Sequence, residues 1–193
     1  MKTALVLIDI QKDYFPGGNR ELYLPVIAAE HAKVLLAYFR QNDMDVFHIQ
    51  HVSKNEKADF FRPNTEGIEI HPLVSPLPSE PVFVKHYPDA FWDTGLEQAL
   101  RAKQIDTLVI CGMMSHMCID TSIRAAKRLH FDVLLAEDAC TTKDLNWRST
   151  QIPANTVHQT MMAALDGTFA KVETTETILQ QLSSVNYARG VFN

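Results

Sequence analysis

The sequence predicts an α/β fold, a parallel sheet covered by helices on both faces. Short, continuous apolar runs of the kind expected of strands buried on both sides alternate with segments of helical periodicity. Several of those runs also end abruptly in a charged residue or a cysteine, and the carboxyl ends of strands are where open parallel sheets bind ligands.

Taken in order, Ala4 to Ile8 (ALVLI) is the first strand, and it ends in Asp9. The loop QKDYFPGGN follows, punctuated by Pro16, Gly17 and Gly18. Its Tyr14 and Phe15 are candidates for lining a pocket, or equally for plugging the loop onto the core. Pro25 to Arg40 reads as a helix with proline in its first turn and Asn42 at its end. Val46 to Ile49 is a second strand. From Ser53 to Ser79 the pattern becomes a long polar loop with several prolines. Loops of that length in compact domains are usually functional or mobile, and Phe60, Phe61 and Arg62 could shape a lid or a subunit contact. Val82 to Val84 is a third strand and runs into Lys85. Thr94 and Glu97 have the spacing of a capping box, with Leu96, Ala99 and Leu100 on the inner face of the helix they would start.

Leu108 to Ile110 is the fourth strand. It leads through a glycine-containing turn to Cys118, and then Ile119, Ile123, Ala126 and Leu129 recur at helical spacing. Val133 to Ala136 is a fifth strand, followed by EDACTTKD. A last helix covers Asn155 to Leu165, with Asn155 as its cap and Gly167 just past its end. Phe169 to Val172 makes a sixth strand, and the tail beyond it carries no pattern. No repeat, low-complexity segment or second domain interrupts the chain, so residues 1–193 read as one domain.

Composition narrows the function. The chain is 46% hydrophobic and 21% charged with a net charge of -5, which leaves no basic footprint for nucleic acid. No stretch approaches the roughly 20 apolar residues that cross a bilayer, and the apolar start meets Asp9 too early for a signal peptide. Three widely spaced cysteines without a CxxC pair are no disulfide framework and suit a reducing cytoplasm.

Right-handed crossovers put the carboxyl ends of parallel strands along one edge, which brings Asp9, Lys85 and the turn before Cys118 together. A carboxylate can take a thiol's proton, and a lysine beside both steadies the charges, so the three form a nucleophile set without histidine. The amides that open the following helix should lower the pKa of Cys118 and could hold an oxyanion. Each residue also has a plain structural reading: Cys118 as a small buried apolar side chain, Asp9 with Lys85 as an ion pair at the sheet edge.

The segments LVLIDIQKDYF, VFVKHYPDAFWDTGL and VICGMMSHMCIDTSIRAA, with EDACTT and VHQTMMAAL after them, resemble the isochorismatase-like cysteine hydrolases. That family includes nicotinamidases and N-carbamoylsarcosine amidohydrolase, and the resemblance covers nearly the whole chain. It implies a three-layer α/β/α fold on a six-stranded parallel sheet of order 3-2-1-4-5-6. It implies a catalytic triad of Asp9, Lys85 and Cys118, and a cis peptide joining Met113 to Met114. It also implies an oxyanion hole from the Met114 and Cys118 N–H groups, and assembly as homodimers or larger homo-oligomers. The activity it implies is hydrolysis of the C–N bond of a small amide or carbamoyl compound, with no cofactor.

Nicotinamidases carry a metal site of Asp and histidines after the second strand. Here that region is FHIQHVSKNEKADFF, where His48 and His51 would face opposite sides of a strand and no matching Asp-x-His set occurs, so no metal is expected. His71 and His130 read as surface or satisfied core histidines. His116 could touch substrate, or face solvent or cap the helix. Phe91 and Trp92 could wall the pocket or pack in the core, and Cys111 and Cys140 read as core residues. Two other readings stand beside amide hydrolysis: cleavage of an isochorismate-type vinyl ether, whose enzymes typically lack the cysteine, and a non-catalytic redox thiol with Cys140 as its partner. A serine hydrolase is excluded by the lack of a GxSxG elbow.

Overall fold

The computed structural model describes residues 2–190. Six parallel strands form the main sheet: β1 (Thr3–Ile8), β2 (Asp45–His51), β3 (Val82–Lys85), β4 (Thr107–Met113), β5 (Asp132–Thr141) and β8 (Lys171–Glu173). Their order is β3-β2-β1-β4-β5-β8, which is 3-2-1-4-5-6 when only the strands of this sheet are counted. Between β5 and β8 a separate antiparallel hairpin intervenes, β6 (Leu145–Trp147) with β7 (Thr150–Ile152). The helices are α1 (Pro25–Gln41), α2 (Leu96–Ala102), α3 (Asp120–Arg128), α4 (Ala154–Leu165) and α5 (Thr175–Gly190).

The pattern of apolar residues explains this arrangement. All seven residues of β4, and Ala4 to Ile8 of β1, are buried, as central strands covered on both faces must be. The chain steps outward in one direction from β1 to β2 and in the other from β4 to β5. Right-handed crossovers therefore send α1 and α3 to opposite faces. Helix α1 buries Pro25, Ala28, Ala29, Ala32, Leu35, Leu36 and Phe39, a stripe at helical spacing.

Four local expectations change. β5 runs ten residues rather than four: its pairing with β4 shifts between Ile110 and Gly112, then resumes at Cys140 and Thr141. The acidic residues that seemed to end the strand instead serve it, since Asp138 accepts bonds from the Thr175 N–H (2.8 Å) and Oγ1 (2.7 Å) where α5 begins. Helix α5 itself escaped notice because its sequence is mostly polar. Of the residues it contributes, Ile178 and Leu182 reach the core. At α2 the capping box gives way to Gly95 at the N-cap with φ 77, while the Thr94 hydroxyl accepts from the Leu96 N–H at 3.2 Å. Asn155 lies inside α4, whose N-cap is Pro153; the first-turn N–H of Ala154 goes to Asp144 at 2.8 Å.

One polar clasp ties the flank of the sheet together. Glu80 accepts from Arg40 of α1 through its Nε and Nη2 (2.7 and 2.8 Å), from the Leu77 N–H (2.9 Å), and lies 2.9 Å from His48 Nε2 of buried β2. His48 is therefore a satisfied core histidine. Burial alone would raise the Glu80 carboxyl, but Arg40, Leu77 and His48 hold it down to about 2. A carboxyl depressed in the folded state lends stability above its unfolded value, and that stability is lost as pH falls through the folded one. We expect Glu80→Ala to cost about 3 kcal/mol, since it strands Arg40 and His48. Urea melts at pH 7 and pH 3 should show a smaller wild-type–mutant gap at the lower pH.

Candidate active site

The candidate site lies at the carboxyl edge of the four strands β3, β2, β1 and β4, each of which delivers one side chain. Lys85 ends β3, and His51 ends β2 directly opposite it in register. Asp9 follows β1, and Cys118 sits in the turn after β4. Two strand spacings, roughly 10 Å, separate β3 from β1, and the long lysine stem spans them. Its ammonium stands 2.7 Å from Asp9 Oδ2, 2.9 Å from His51 Nδ1, 3.1 Å from the Tyr87 carbonyl and 3.2 Å from Cys118 Sγ. Asp9 and Lys85 are fully buried, and Cys118 is 4% exposed.

Backbone details set these positions. Asp9 leaves its strand at φ 53, in the left-handed region that aspartate enters more readily than most residues. Gly112 lies beside Ile8 in the neighbouring strand, where a Cβ would come within 2.0 Å of the Ile8 carbonyl oxygen. Only glycine lets β1 and β4 approach so closely. The Met113–Met114 peptide that follows is cis. Residues Ser115–Ile119 then form a wide π-helical turn in which the Met114 carbonyl accepts from the N–H groups of Met117 (3.0 Å) and Ile119 (3.2 Å). Two contacts pin that turn from outside: Ser115 Oγ with His158 Nδ1 at 2.8 Å, and His116 Nδ1 with Thr142 Oγ1 at 2.5 Å.

The electrostatics reverse one expectation. The Cys118 thiol is pushed up, first by burial and then by the Asp9 carboxylate, and Lys85 offsets this only in part. The helix-start amides do not make it a standing thiolate. Burial also works against the Lys85 ammonium, yet Asp9 and Cys118 outweigh it and hold that pKa above its ordinary value. Burial first and Lys85 second lower His51 to about 4, so the ring is neutral near pH 7. The resting cluster is thus an aspartate–lysine ion pair beside a neutral thiol and a neutral imidazole.

Sequence reasoning missed His51, Gln11 and Asp13. Gln11 clasps the His51 backbone, its Nε2 donating to the His51 carbonyl (2.9 Å) and its Oε1 accepting from the His51 N–H (2.7 Å). Buried Asp13 accepts from the Phe61 N–H at 2.5 Å and folds the long loop back onto the site. Phe61 lies 4.6 Å from Tyr14 and 5.6 Å from His51, ring to ring. The signal for His51 was its register against Lys85, which no local pattern carries.

The aromatic candidates fall in different places. Phe15 is buried and stacks on His71 at 3.8 Å, Phe91 lies 6.1 Å from Phe131, and Trp92 is 56% exposed and stacks on Tyr87 at 4.2 Å. Asp9, His51 and Cys118 could in principle ligate a metal, their donor atoms lying within 4.8 Å of one another. The Lys85 ammonium already stands against all three, and a divalent ion there would meet that positive charge at contact distance. The residues present do not fit a metal. A cavity of about 690 Å³ opens at the opposite, amino-terminal edge of the sheet, lined by residues such as Thr3, Thr107 and Asp132, and takes no part in this cluster.

The protein is thus of three-layer α/β/α architecture, with acid, ammonium and thiol gathered at the carboxyl ends of its strands. Residues 3–177 match the isochorismatase domain. The chain is 48% identical over 180 residues to the isochorismatase family protein YddQ of Bacillus subtilis, covering 93% of this chain and 100% of that protein. The crystal structure of an isochorismatase hydrolase from Oleispira antarctica superposes with a TM-score of 0.89 at 40% identity, over 93% of this chain and 96% of that one. Maleamate amidohydrolase of Pseudomonas putida is 27% identical over 94% of this chain and 87% of its own length. The chain belongs to the isochorismatase family and is a hydrolase of that family.

His51 generates a pH dependence of its own. With a folded value near 4 against 6.5 for the free side chain, the unfolded chain binds more protons between those limits. Its contribution is fully present above pH 6.5 and declines as pH falls toward 4. The ring is partly exposed, so we expect about 2 kcal/mol lost over that window rather than the full value of the shift. Denaturant melts of His51→Asn at pH 7 and pH 4.5 should show a correspondingly flatter dependence.

Proposed function

We propose that this hydrolase cleaves the C–N bond of a small amide or carbamoyl compound with Cys118 as nucleophile. The observation that carries the reading is the single ammonium of Lys85 in contact with both the Asp9 carboxylate and the Cys118 sulfur inside a water-poor strand edge. Maleamate amidohydrolase, similar along nearly the whole chain, is named for chemistry of this class.

The steps follow from the charges. As the substrate carbonyl docks, Asp9 takes the Cys118 proton and the thiolate adds to the carbonyl carbon. The N–H groups of Met114 and Cys118 receive the oxyanion. Asp9 then passes its proton to the departing nitrogen, the C–N bond breaks, and a thioester remains. Water, deprotonated by the same carboxylate, attacks the thioester; the acid leaves and the proton returns to sulfur. Lys85 stays charged throughout and balances Asp9 in one half of the cycle and the sulfur in the other.

A neutral resting thiol suits this order of events. The redox alternative finds less support, because oxidation favours exposed thiols and Cys118 and Cys140 are both buried.

Ammonia release from a panel of primary amides and carbamoyl compounds tests the reading. Cys118→Ala and Cys118→Ser should lose at least about 1000-fold in kcat/KM while keeping the wild-type circular dichroism and melting profile. Activity retained in either variant would remove Cys118 as nucleophile. Turnover of a vinyl ether with the whole amide panel silent would favour the isochorismate-type reaction.

A further inference from the structure

The Asp9 carboxylate is held by charge and not by hydrogen bonds. Lys85 Nζ stands 2.7 Å from its Oδ2, but the three N–H bonds of an ammonium go to His51, the Tyr87 carbonyl and Cys118. Among the described residues, the two Asp9 oxygens are the only fully enclosed side-chain nitrogen or oxygen atoms without a hydrogen bond. A buried carboxylate in that condition calls for a donor.

The Tyr14 hydroxyl has the matching need. It makes no hydrogen bond among the described residues, although Tyr14 is only 1% exposed. It is not one of the enclosed atoms, so it keeps a small face that water can reach. Tyr14 closes the short turn Lys12–Tyr14 that follows Asp9 and Gln11. Its N–H donates to the Gln11 carbonyl and its carbonyl accepts from the Leu22 N–H, both at 3.0 Å. The ring packs on Phe60 at 6.1 Å and on Phe61 at 4.6 Å, and Phe61 in turn covers His51. Burial first, then Cys118 and Asp9, push the phenol well above its ordinary value, and Arg20 offsets this only in part. Tyr14 therefore stands within the field of both reactive groups and keeps its proton there.

We propose that the Tyr14 hydroxyl holds the water that hydrolyses the thioester, donating to its oxygen while Asp9 accepts one of its hydrogens. The proposal rests on Cys118 being the nucleophile of the reading above. A water supplies the donor that Asp9 lacks and the acceptor that Tyr14 lacks, and two polar partners are enough to order it. Asp9 takes a proton from this water, the water oxygen bonds the thioester carbon, and the C–S bond breaks. The proton then passes from Asp9 to the sulfur, and Tyr14 keeps its own throughout. Of the two lone pairs on the water oxygen, one accepts from Tyr14 and the other meets the carbon. Acylation sets Asp9 against the thiol and the leaving nitrogen, so the hydroxyl governs deacylation alone.

The reagent p-nitrophenyl acetate reads the two halves separately. The Cys118 thiolate takes its acetyl group, p-nitrophenolate leaves, and water must then clear the thioester. Acylation is followed by p-nitrophenolate in the first turnover. Deacylation is followed by rapid quench and peptide mass at Cys118, with Cys118→Ala as the blank. Tyr14→Phe should lose the acetyl group about tenfold more slowly than the wild type, the size of one hydrogen bond. Its acylation should stay within about twofold. Hydroxylamine, a nucleophile that replaces the water, should clear the acetyl group at similar rates from both proteins. The phenylalanine ring keeps its place against Phe60 and Phe61 and strands no protein partner, so the variant should melt with the wild type.

Unchanged deacylation in Tyr14→Phe, or acylation slowed as much as deacylation, overturns the proposal. So does a variant equally slow toward hydroxylamine. Equal deacylation in the two proteins would leave Cys118 as nucleophile and remove only the role of Tyr14. A wild type that never carries the acetyl group on Cys118 would remove the nucleophile, and this inference with it.

Discussion

The buried contact between the Lys85 ammonium and the Asp9 carboxylate is the constraint on which the rest of the site depends. Neither charge has an exposed surface, so each is tolerable only because the other is there. Removing water from two ions costs several kcal/mol apiece. The molecule meets that cost by placing the pair where three further acceptors, His51, the Tyr87 carbonyl and Cys118, take the ammonium's hydrogen bonds. A thiol added to this group is surrounded by charges already fixed in place. Such preorganisation is what lets an enzyme stabilise a transition state without moving dipoles at the moment of reaction.

That contact in turn depends on how closely the central strands approach. Asp9 and Cys118 belong to the ends of β1 and β4, which lie side by side with Gly112 against Ile8. Any side chain at Gly112 would force the two strand ends apart and open the cluster at its centre. On the other flank, the length of lysine spans β2 entirely, and His51 of β2 fills the space beneath the stem's end. The loop after β2 closes over the histidine through Phe61, held by a carboxylate, Asp13, that is itself buried. Loop, histidine, lysine and aspartate thus form one connected set of bonds from surface to sheet.

The raised thiol gives this site a different resting state from that of thiol enzymes whose cysteine is ionised before substrate arrives. Here burial and a neighbouring carboxylate keep the proton on sulfur, and in the proposed reaction the same carboxylate receives it. In that proposed reaction, acid and base roles alternate on one residue while the lysine charge stays constant. This makes a neutral histidine more useful than a charged one, because a second cation would compete with Lys85 for Asp9.

Much of this was legible in the chain itself. Buried parallel strands announce themselves as unbroken apolar runs, so Ala4 to Ile8 and Leu108 to Ile110 could be placed without a structure, and Asp9 and Lys85 at the ends of two such runs marked the edge where chemistry would lie. The polar helix α5 and the hairpin β6–β7 carry no such runs and passed unnoticed. The acidic stretch inside β5 looked like a strand end, because its reason, the bonds from Asp138 to the start of α5, lies 37 residues away. The sequence by itself determined the strands and the common edge where Asp9, Lys85 and Cys118 meet, since these follow from local hydrophobic pattern and the handedness of crossovers. Only the tertiary structure decided that His51 joins them and that the thiol is held neutral. Both depend on register and on distances between strands, quantities that no single segment of sequence contains.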